Sequence, residues 1–436
     1  MIADRVAVIG GGYAGFAAAV TLATAGRAVT VFEAARTLGG RARRVEAYSV
    51  TVDNGQHILL GAYAQTLALI RTVHGAGADH ELLDRRRLCL NEPGVFRLST
   101  SGLPAPLNLA RCAALRARVV VGRSAGYDRV RAQSSTRAFP LRWRAHRRLA
   151  ARRATGGCHP RSVGAALPRG VEHVDRDGVR DACFSTFLPR RFGAHARDSD
   201  LLLPRVDLSS LFPDPAAAYV ADRGGEIRKS AMVNGIAARA DGVILRIGYS
   251  EEQFDAVVLA VAPHQLPHLL FNGESDPRAT LALAQVAAFA YEPIVTAYLQ
   301  YSTPLELEHP MQKLDGAPGQ WVFDRGQLDG PPGLAAVVIS TDLPSVRTGH
   351  DALARSIDAQ LRRVLPSLQA PTWMQVIAER RATYACTAGL ARPAPGMIAP
   401  RLSLAGDYTD PQFPATLEAA TRSGVAAAQA LLQASA

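Results

Sequence analysis

Apolar and polar positions along this chain change their period several times, and the changes mark its elements. Residues 6–9 are a short apolar run entering the cluster Gly10-Gly-Gly-Tyr-Ala-Gly15. An alanine-rich apolar stretch runs on to Gly26, and a second apolar run closes on Glu33. That order predicts strand, tight turn, helix, strand. Residues 44–52 read as a further strand ending in the turn signal Asp53-Asn54-Gly55, and helical spacing predicts a helix over 62–73. Asn91 to Gly94 turns a hairpin between Leu88 and Leu98. Farther on, residues 208–221 predict a helix, Gly224-Gly225 opens a strand, and Val233 lies in the next. Residues 243–248 are expected to pair with 254–261, whose apolar run to Pro263 is that of a strand buried on both faces. Residues 292–301, 321–324, 335–341 and 374–383 alternate like strands of a second sheet, with an amphipathic helix over 351–365 lying across it. Residues 401–407 read as a strand running into Gly406-Asp407, and 415–432 as a closing helix.

The first unit carries candidate chemistry. Gly10-x-Gly12-x-x-Gly15 between strand and helix, with an acid ending the second strand, is the dinucleotide-binding βαβ pattern. Gly10 permits the turn, Gly12 lets backbone approach a pyrophosphate, and Gly15 lets the helix pack on the strand. Tyr13 and Ala14 open that helix, whose positive end faces the phosphates. Glu33 stands where a carboxylate accepts both adenosine ribose hydroxyls. The plainer reading is a glycine-rich turn without a ligand.

A second glycine pair follows the acid in Leu38-Gly39-Gly40-Arg41. This spacing resembles the amine oxidase and phytoene desaturase superfamily of FAD proteins, where the arginine sits near the pyrophosphate. The resemblance implies an α/β fold: a Rossmann-like FAD-binding domain of the glutathione reductase type, interleaved with an α+β substrate domain. It further implies that Val233 contacts adenine through its backbone and that Asp407, after Gly406, hydrogen-bonds the ribityl chain. The closing helix, beginning near Thr416 and Leu417, would point its N-terminus at the flavin pyrimidine edge, where positive potential stabilises reduced flavin. Asp53-Asn-Gly-Gln-His-Ile-Leu-Leu-Gly-Ala-Tyr63, Asp200-Leu-Leu-Leu-Pro-Arg-Val-Asp-Leu-Ser209 and Gly406-Asp-Tyr with Pro414-Ala-Thr-Leu-Glu-Ala-Ala420 are similar to the squalene-associated FAD enzymes, the hydroxysqualene dehydroxylases of bacterial hopanoid synthesis. The implied reaction turns hydroxysqualene and reduced FAD into squalene, FAD and water. His57 is the candidate acid, with Tyr63, Tyr291 and Tyr408 as alternatives and a backbone-bonded turn histidine as the plainer reading of His57. The rival activities are carotenoid-type desaturation, the same hydride moved the other way, and amine oxidation.

Composition changes this picture in one place. Residues 111–197 hold 20 arginines, no lysine and 5 acids, whereas the rest of the chain has 29 basic and 33 acidic groups, so the net charge of +11 comes from that stretch. The family would place channel-lining helices there, with a tryptophan-containing and Asn-Thr-rich signature that this chain lacks. No clean period runs through it. With 47 arginines to 2 lysines the coding sequence is GC-rich, and a shifted frame then turns alanine-rich stretches into Arg, Pro, Gly and Ser. Translation out of frame is the expected explanation; a genuine insert and a basic arm are the others. In the out-of-frame case the protein is a flavin-binding remnant without activity. The aromatics Tyr127, Phe139 and Trp143 form no RNA-binding module, so no nucleic-acid partner is expected.

The expected division is FAD-binding parts at 1–110, 198–262 and 396–436, the arginine-rich stretch at 111–197 in the place of a substrate cap, and a substrate-binding domain at 263–395. Five scattered cysteines without metal-ligand spacing predict reduced thiols, no metal and a cytoplasmic enzyme. A long-chain isoprenoid substrate would bring peripheral contact with the inner membrane. The donor that reduces FAD is not specified by any motif.

Overall fold

The structure, a computed structural model, describes residues 5–92, 96–99, 195–239, 241–270, 276–340, 349–387 and 389–434. The out-of-frame reading therefore falls almost wholly outside the described residues.

A six-stranded sheet organises one half of the molecule. Its spatial order is Glu226–Lys229, Ala28–Glu33, Arg5–Ile9, Ala256–Leu259, Leu402–Leu404 and Gly396–Ala399. Neighbouring strands are parallel up to the last pair, which is antiparallel. Val6, Val8, Val29, Val31, Val257 and Val258 are buried, so these central strands show the near-continuous apolar runs of a sheet covered on both faces. The alanine-rich helix Tyr13–Thr24 lies against the sheet, and the closing helix Leu417–Ala434 crosses it. Gly424 makes that crossing close: a Cβ there would stand 2.1 Å from the carbonyl oxygen of Ala14.

The second sheet has five antiparallel strands in the order Met311–Lys313, Trp321–Asp324, Leu334–Ser340, Tyr291–Gln300 and Trp373–Tyr384. Alternation sorts its side chains. Val295, Ala297, Leu299, Val337 and Ile339 share an apolar cluster with Leu353, Ile357 and Leu361 of the helix His350–Val364. Ile294, Tyr298, Trp321, Phe323 and Val338 point the other way, into the cluster formed with the nucleotide half. The interface between the two halves is therefore the sheet's second face.

Three local expectations change. The stretch 44–52 is a hairpin, Arg44–Ala47 with Val50–Asp53, turning at Tyr48 and Ser49 with φ of 48° and 65°. Two positive-φ residues make the twist of a tight hairpin without any glycine, so the sequence carries no signal for it. The helix expected over 208–221 breaks into Leu208–Leu211 and Pro213–Ala221, because proline cannot donate within a helix and restarts one well. Strand Val243–Ile247 pairs with Ser250–Phe254, while Ala256–Leu259 turns away into the nucleotide sheet.

Candidate cofactor and substrate site

The glycine turn closes as its spacing predicts. Gly10 takes a φ of +112°, and a Cβ there would lie 2.5 Å from the carbonyl oxygen of Ala260. A Cβ on Gly15 would lie 1.8 Å from the carbonyl oxygen of Gly10, so only glycine lets the helix meet the strand. Gly12 is different. The nearest atoms to a Cβ there are backbone atoms of Gly40 and Gly39, 3.7 Å away and beyond. The two glycine turns face each other, and the Gly39 N–H donates to the Gly11 carbonyl at 2.8 Å. No side chain caps the helix that starts at Tyr13, so the N–H groups of Tyr13, Ala14 and Gly15 lead it without intrahelical partners. The Tyr13 hydroxyl points elsewhere, donating to the Leu208 carbonyl at 2.9 Å, which leaves only its backbone for a ligand.

Glu33 ends its strand beside this turn. One carboxylate oxygen accepts the Gly11 N–H at 2.7 Å and the other accepts the Ala35 N–H at 2.8 Å. The Ala231 N–H donates to the Glu33 carbonyl at 2.9 Å, which brings Val233 into the apolar cluster of Ile9 and Phe32.

Arg41 joins the two ends of the chain. Its guanidinium donates to the Ala382 carbonyl at 2.9 Å and to the Asp407 carboxylate at 2.5 Å. Burial opposes the charge on Arg41, and Asp407, together with Glu379 and Tyr408, more than offsets it, so the cation is held. Asp407 is placed by Gly406, where a Cβ would collide with the Tyr408 ring at 2.3 Å. Beyond it, the buried Asp410 accepts the N–H groups of Gln412 and Phe413 and is held by Arg422 at 2.8 Å. This loop delivers Thr416, whose hydroxyl donates to the Phe413 carbonyl at 2.6 Å and accepts the Ala419 N–H at 3.1 Å, as an N-cap does. Leu417 and Glu418 then present the leading N–H groups of the closing helix.

The turn Asp53 to His57 lies between this arm and the second sheet. Asn54 donates through its side chain to the Arg41 carbonyl at 3.1 Å, and the Tyr298 hydroxyl donates to the Asp53 carbonyl at 2.9 Å. His57 Nδ1 faces the Gly55 carbonyl at 2.8 Å; a carbonyl only accepts, so Nδ1 carries the proton. Asp53 is 3% exposed, and burial pushes its carboxyl up to about 7, although the Leu208 N–H at 2.8 Å and Arg325 pull it down. Of the tyrosines, Tyr408 donates to the Val261 carbonyl at 3.3 Å, and Tyr63 packs edge-on against Phe413. Tyr291 is half-buried beside His264, with its hydroxyl pushed up by burial.

Two residues at this seam stand out: Gln56, part of the Asp53–Tyr63 motif but given no role there, and Thr296, part of none. Gln56 is 5% exposed and Thr296 1% exposed, and neither the carboxamide nor the hydroxyl has a hydrogen-bond partner among the described residues.

Two glycine turns with converging N–H groups, an acid at a strand end, an arginine–aspartate pair and a helix start form a set suited to a dinucleotide with a redox ring. Fold and site together define an FAD-dependent oxidoreductase. The chain belongs to the flavin containing amine oxidoreductase family, whose model it matches over residues 13–432. It is similar along its length to proteins named hydroxysqualene dehydroxylase. The one from Rhodopseudomonas palustris is 29% identical over 453 residues, covering 99% of both chains. That from Sinorhizobium fredii is 26% identical over 460 residues, covering 98% of both. Among solved structures, a putative protoporphyrinogen oxidase from Exiguobacterium superposes with a TM-score of 0.62 at 18% identity, covering 98% of both chains. A putrescine oxidase bound to putrescine superposes with a TM-score of 0.61 at 15% identity, covering 99% of both. These likenesses establish the fold expected from the glycine motifs.

Proposed function

We propose that this protein reductively removes the hydroxyl of a long isoprenoid alcohol, converting hydroxysqualene to squalene in bacterial hopanoid synthesis. The observation that carries the proposal is the end-to-end similarity to hydroxysqualene dehydroxylases. The apolar face of the second sheet turned toward the nucleotide half suits such a substrate.

In this reading Gly10, Gly12, Gly15, Gly39 and Gly40 admit the FAD pyrophosphate, with the Tyr13 and Ala14 amides donating to it. Glu33 holds the ribose, Val233 adenine, Arg41 the phosphates and Asp407 the ribityl chain. Thr416 caps the closing helix so that its first amides, Leu417 among them, meet the pyrimidine edge. When bound and reduced, FAD supplies a hydride to the carbon that loses oxygen. The balance is alcohol plus reduced FAD to hydrocarbon, FAD and water: one C–O bond breaks, one C–H bond forms, and the leaving oxygen takes a proton. His57 is the residue assigned to give that proton. With Nδ1 committed to Gly55, it does so from Nε2 of the doubly protonated ring. The protein's other tasks are to exclude water and to fix the carbon's position.

The expected division into interleaved FAD-binding and substrate-binding parts belongs to the same proposal, as does peripheral contact with the cytoplasmic face of a membrane. No helix among the described residues is long and apolar enough to cross one. The test is anaerobic mixing of reduced enzyme with hydroxysqualene, which should reoxidise the flavin and yield squalene. Bleaching of oxidised enzyme by a more saturated isoprenoid would instead mean desaturation. Sequencing the encoding DNA tests the arginine-rich stretch, since a frame restored across 111–197 should bring back apolar helical periodicity there.

A further inference from the structure

The face of the second sheet that meets the nucleotide half is apolar along most of its length. Ile294, Val338, Ile377, Phe323 and Tyr298 lie on it. Polar residues interrupt it at Ser340 and Glu379 opposite Ile294, at Gln375 opposite Tyr298, and at the buried Thr296. Thr296 sits on Tyr291–Gln300 between Ile294 and Tyr298, directly opposite Val338 on one side and Ile377 on the other. Its hydroxyl is deeply buried and lacks a hydrogen-bond partner among the described residues.

Across the seam stands the turn that carries Gln56. Gly55, one residue earlier, has a φ of +138°, and a Cβ built there would come within 3.9 Å of the Thr296 hydroxyl oxygen. The turn is fixed: Asn54 is bonded to the Arg41 backbone and Asp53 to Tyr298. Both polar atoms of the Gln56 carboxamide are nevertheless buried and unbonded among the described residues. Buried polar groups are nearly always paired, because leaving one unpaired forfeits its hydration without return. Gln56 and Thr296, unpaired among the described residues, thus belong to two elements that approach each other where Gly55 meets Thr296.

We propose that Gln56 and Thr296 together bind the hydroxyl of the substrate alcohol and so select an oxygenated isoprenoid over its hydrocarbon. The carboxamide offers a donor and an acceptor, the threonine hydroxyl offers both, and an alcohol oxygen needs both. The apolar surroundings accept the hydrocarbon chain. Once the oxygen has left, the product keeps no group for this pair, which favours its release. The inference rests on the proposed dehydroxylation for the identity of the alcohol.

The test uses the oxidised FAD-bound enzyme, its Gln56→Leu and Thr296→Val variants, and two probes, hydroxysqualene and squalene, titrated by perturbation of the flavin spectrum. Wild type should bind the alcohol more tightly. Each variant should lose about tenfold in alcohol affinity, the worth of one hydrogen bond, with squalene affinity and FAD retention unchanged. Since each substitution removes an unpaired buried group, the thermal midpoint of each apo-variant should not fall. Equal affinities of wild type for the two probes, or unchanged alcohol preference in both variants, overturns the anchor. Weakened FAD binding in Gln56→Leu also overturns it, placing the carboxamide on the cofactor. Selective alcohol binding through this pair without flavin reoxidation on mixing reduced enzyme with hydroxysqualene would sink the proposed function and leave the anchor standing. Turnover without alcohol preference would do the reverse, and absence of both would end both.

Discussion

Two buried polar clusters, one at Gln56 and one just past Tyr63, are built in opposite ways. At the start of the helix Ala64–His74, Glu418 is 1% exposed, and its carboxylate accepts the Gln65 N–H at 3.0 Å, the Thr66 N–H at 2.9 Å and the Thr66 hydroxyl at 2.8 Å. Thr421 lies 2.9 Å from the same hydroxyl. A residue of the closing helix thereby caps a helix that begins more than 350 positions earlier in the chain. At the other cluster, Gln56 and Thr296 are as deeply buried and bond to nothing described. Burial is alike in the two; hydrogen bonding among the described residues differs. A closed network holds elements together, while in the proposal above the open pair awaits the substrate alcohol.

The contrast is broken most readily at Glu418. Glu418→Ala leaves the buried Thr66 N–H and the part-buried Gln65 N–H unpaired and the Thr66 hydroxyl with Thr421 alone, and should cost about 3–4 kcal/mol at roughly 1–3 kcal/mol per orphaned group, read in denaturant unfolding. A loss below about 1 kcal/mol would mean the network is not closed as described. Glu418→Gln, which keeps an accepting oxygen, should lose less.

Asp53 gives a pH signature of the next size. Its folded value of about 7 lies above the ordinary unfolded value, so between the two the folded state holds the extra proton. The stabilisation is full below about pH 4 and lost as pH rises to about 7. Stability of wild type relative to Asp53→Asn should therefore fall by about 2–4 kcal/mol across that window and stay flat above it. A flat difference from acid to neutral pH contradicts a neutral buried Asp53.

Smaller again is Glu33→Ala, expected to weaken FAD binding by about 1–3 kcal/mol in equilibrium titration. The carboxylate also braces Gly11 and Ala35, so some of this loss should appear in the stability of the apoprotein. FAD affinity equal to wild type would place the ribose elsewhere. The smallest change belongs to the open pair: Gln56→Leu and Thr296→Val should alter apoprotein stability by less than about 0.5 kcal/mol or raise it, since neither breaks a bond. Loss comparable to Glu418→Ala would erase the distinction between the clusters.

Legibility follows the same division. The glycine turn, Glu33 and the Gly39-Gly40-Arg41 turn were readable because their constraints are local: a Cβ at Gly15 fails against an atom five residues away. The family resemblance carried Arg41 and Asp407 toward one place, and the structure joins them directly across 366 positions. Alternation put Ile294, Thr296 and Tyr298 on one face, yet no pattern tells whether a threonine hydroxyl on that face finds a partner. Glu418 received no role from the sequence, because its partners belong to a helix at the other end of the chain. The Tyr48-Ser49 turn was missed since nothing but tertiary context holds two such residues at positive φ.

In the proposed reaction, hydride passes from reduced FAD to an isoprenoid carbon as its hydroxyl departs. Reduced enzyme mixed anaerobically with hydroxysqualene in deuterium oxide, where flavin N5 exchanges its hydrogen, tests it directly. The expected result is flavin reoxidation with formation of squalene carrying one deuterium on the carbon that lost oxygen. Squalene labelled at any other carbon, or a flavin that stays reduced while oxidised enzyme bleaches with a more saturated isoprenoid, would contradict it.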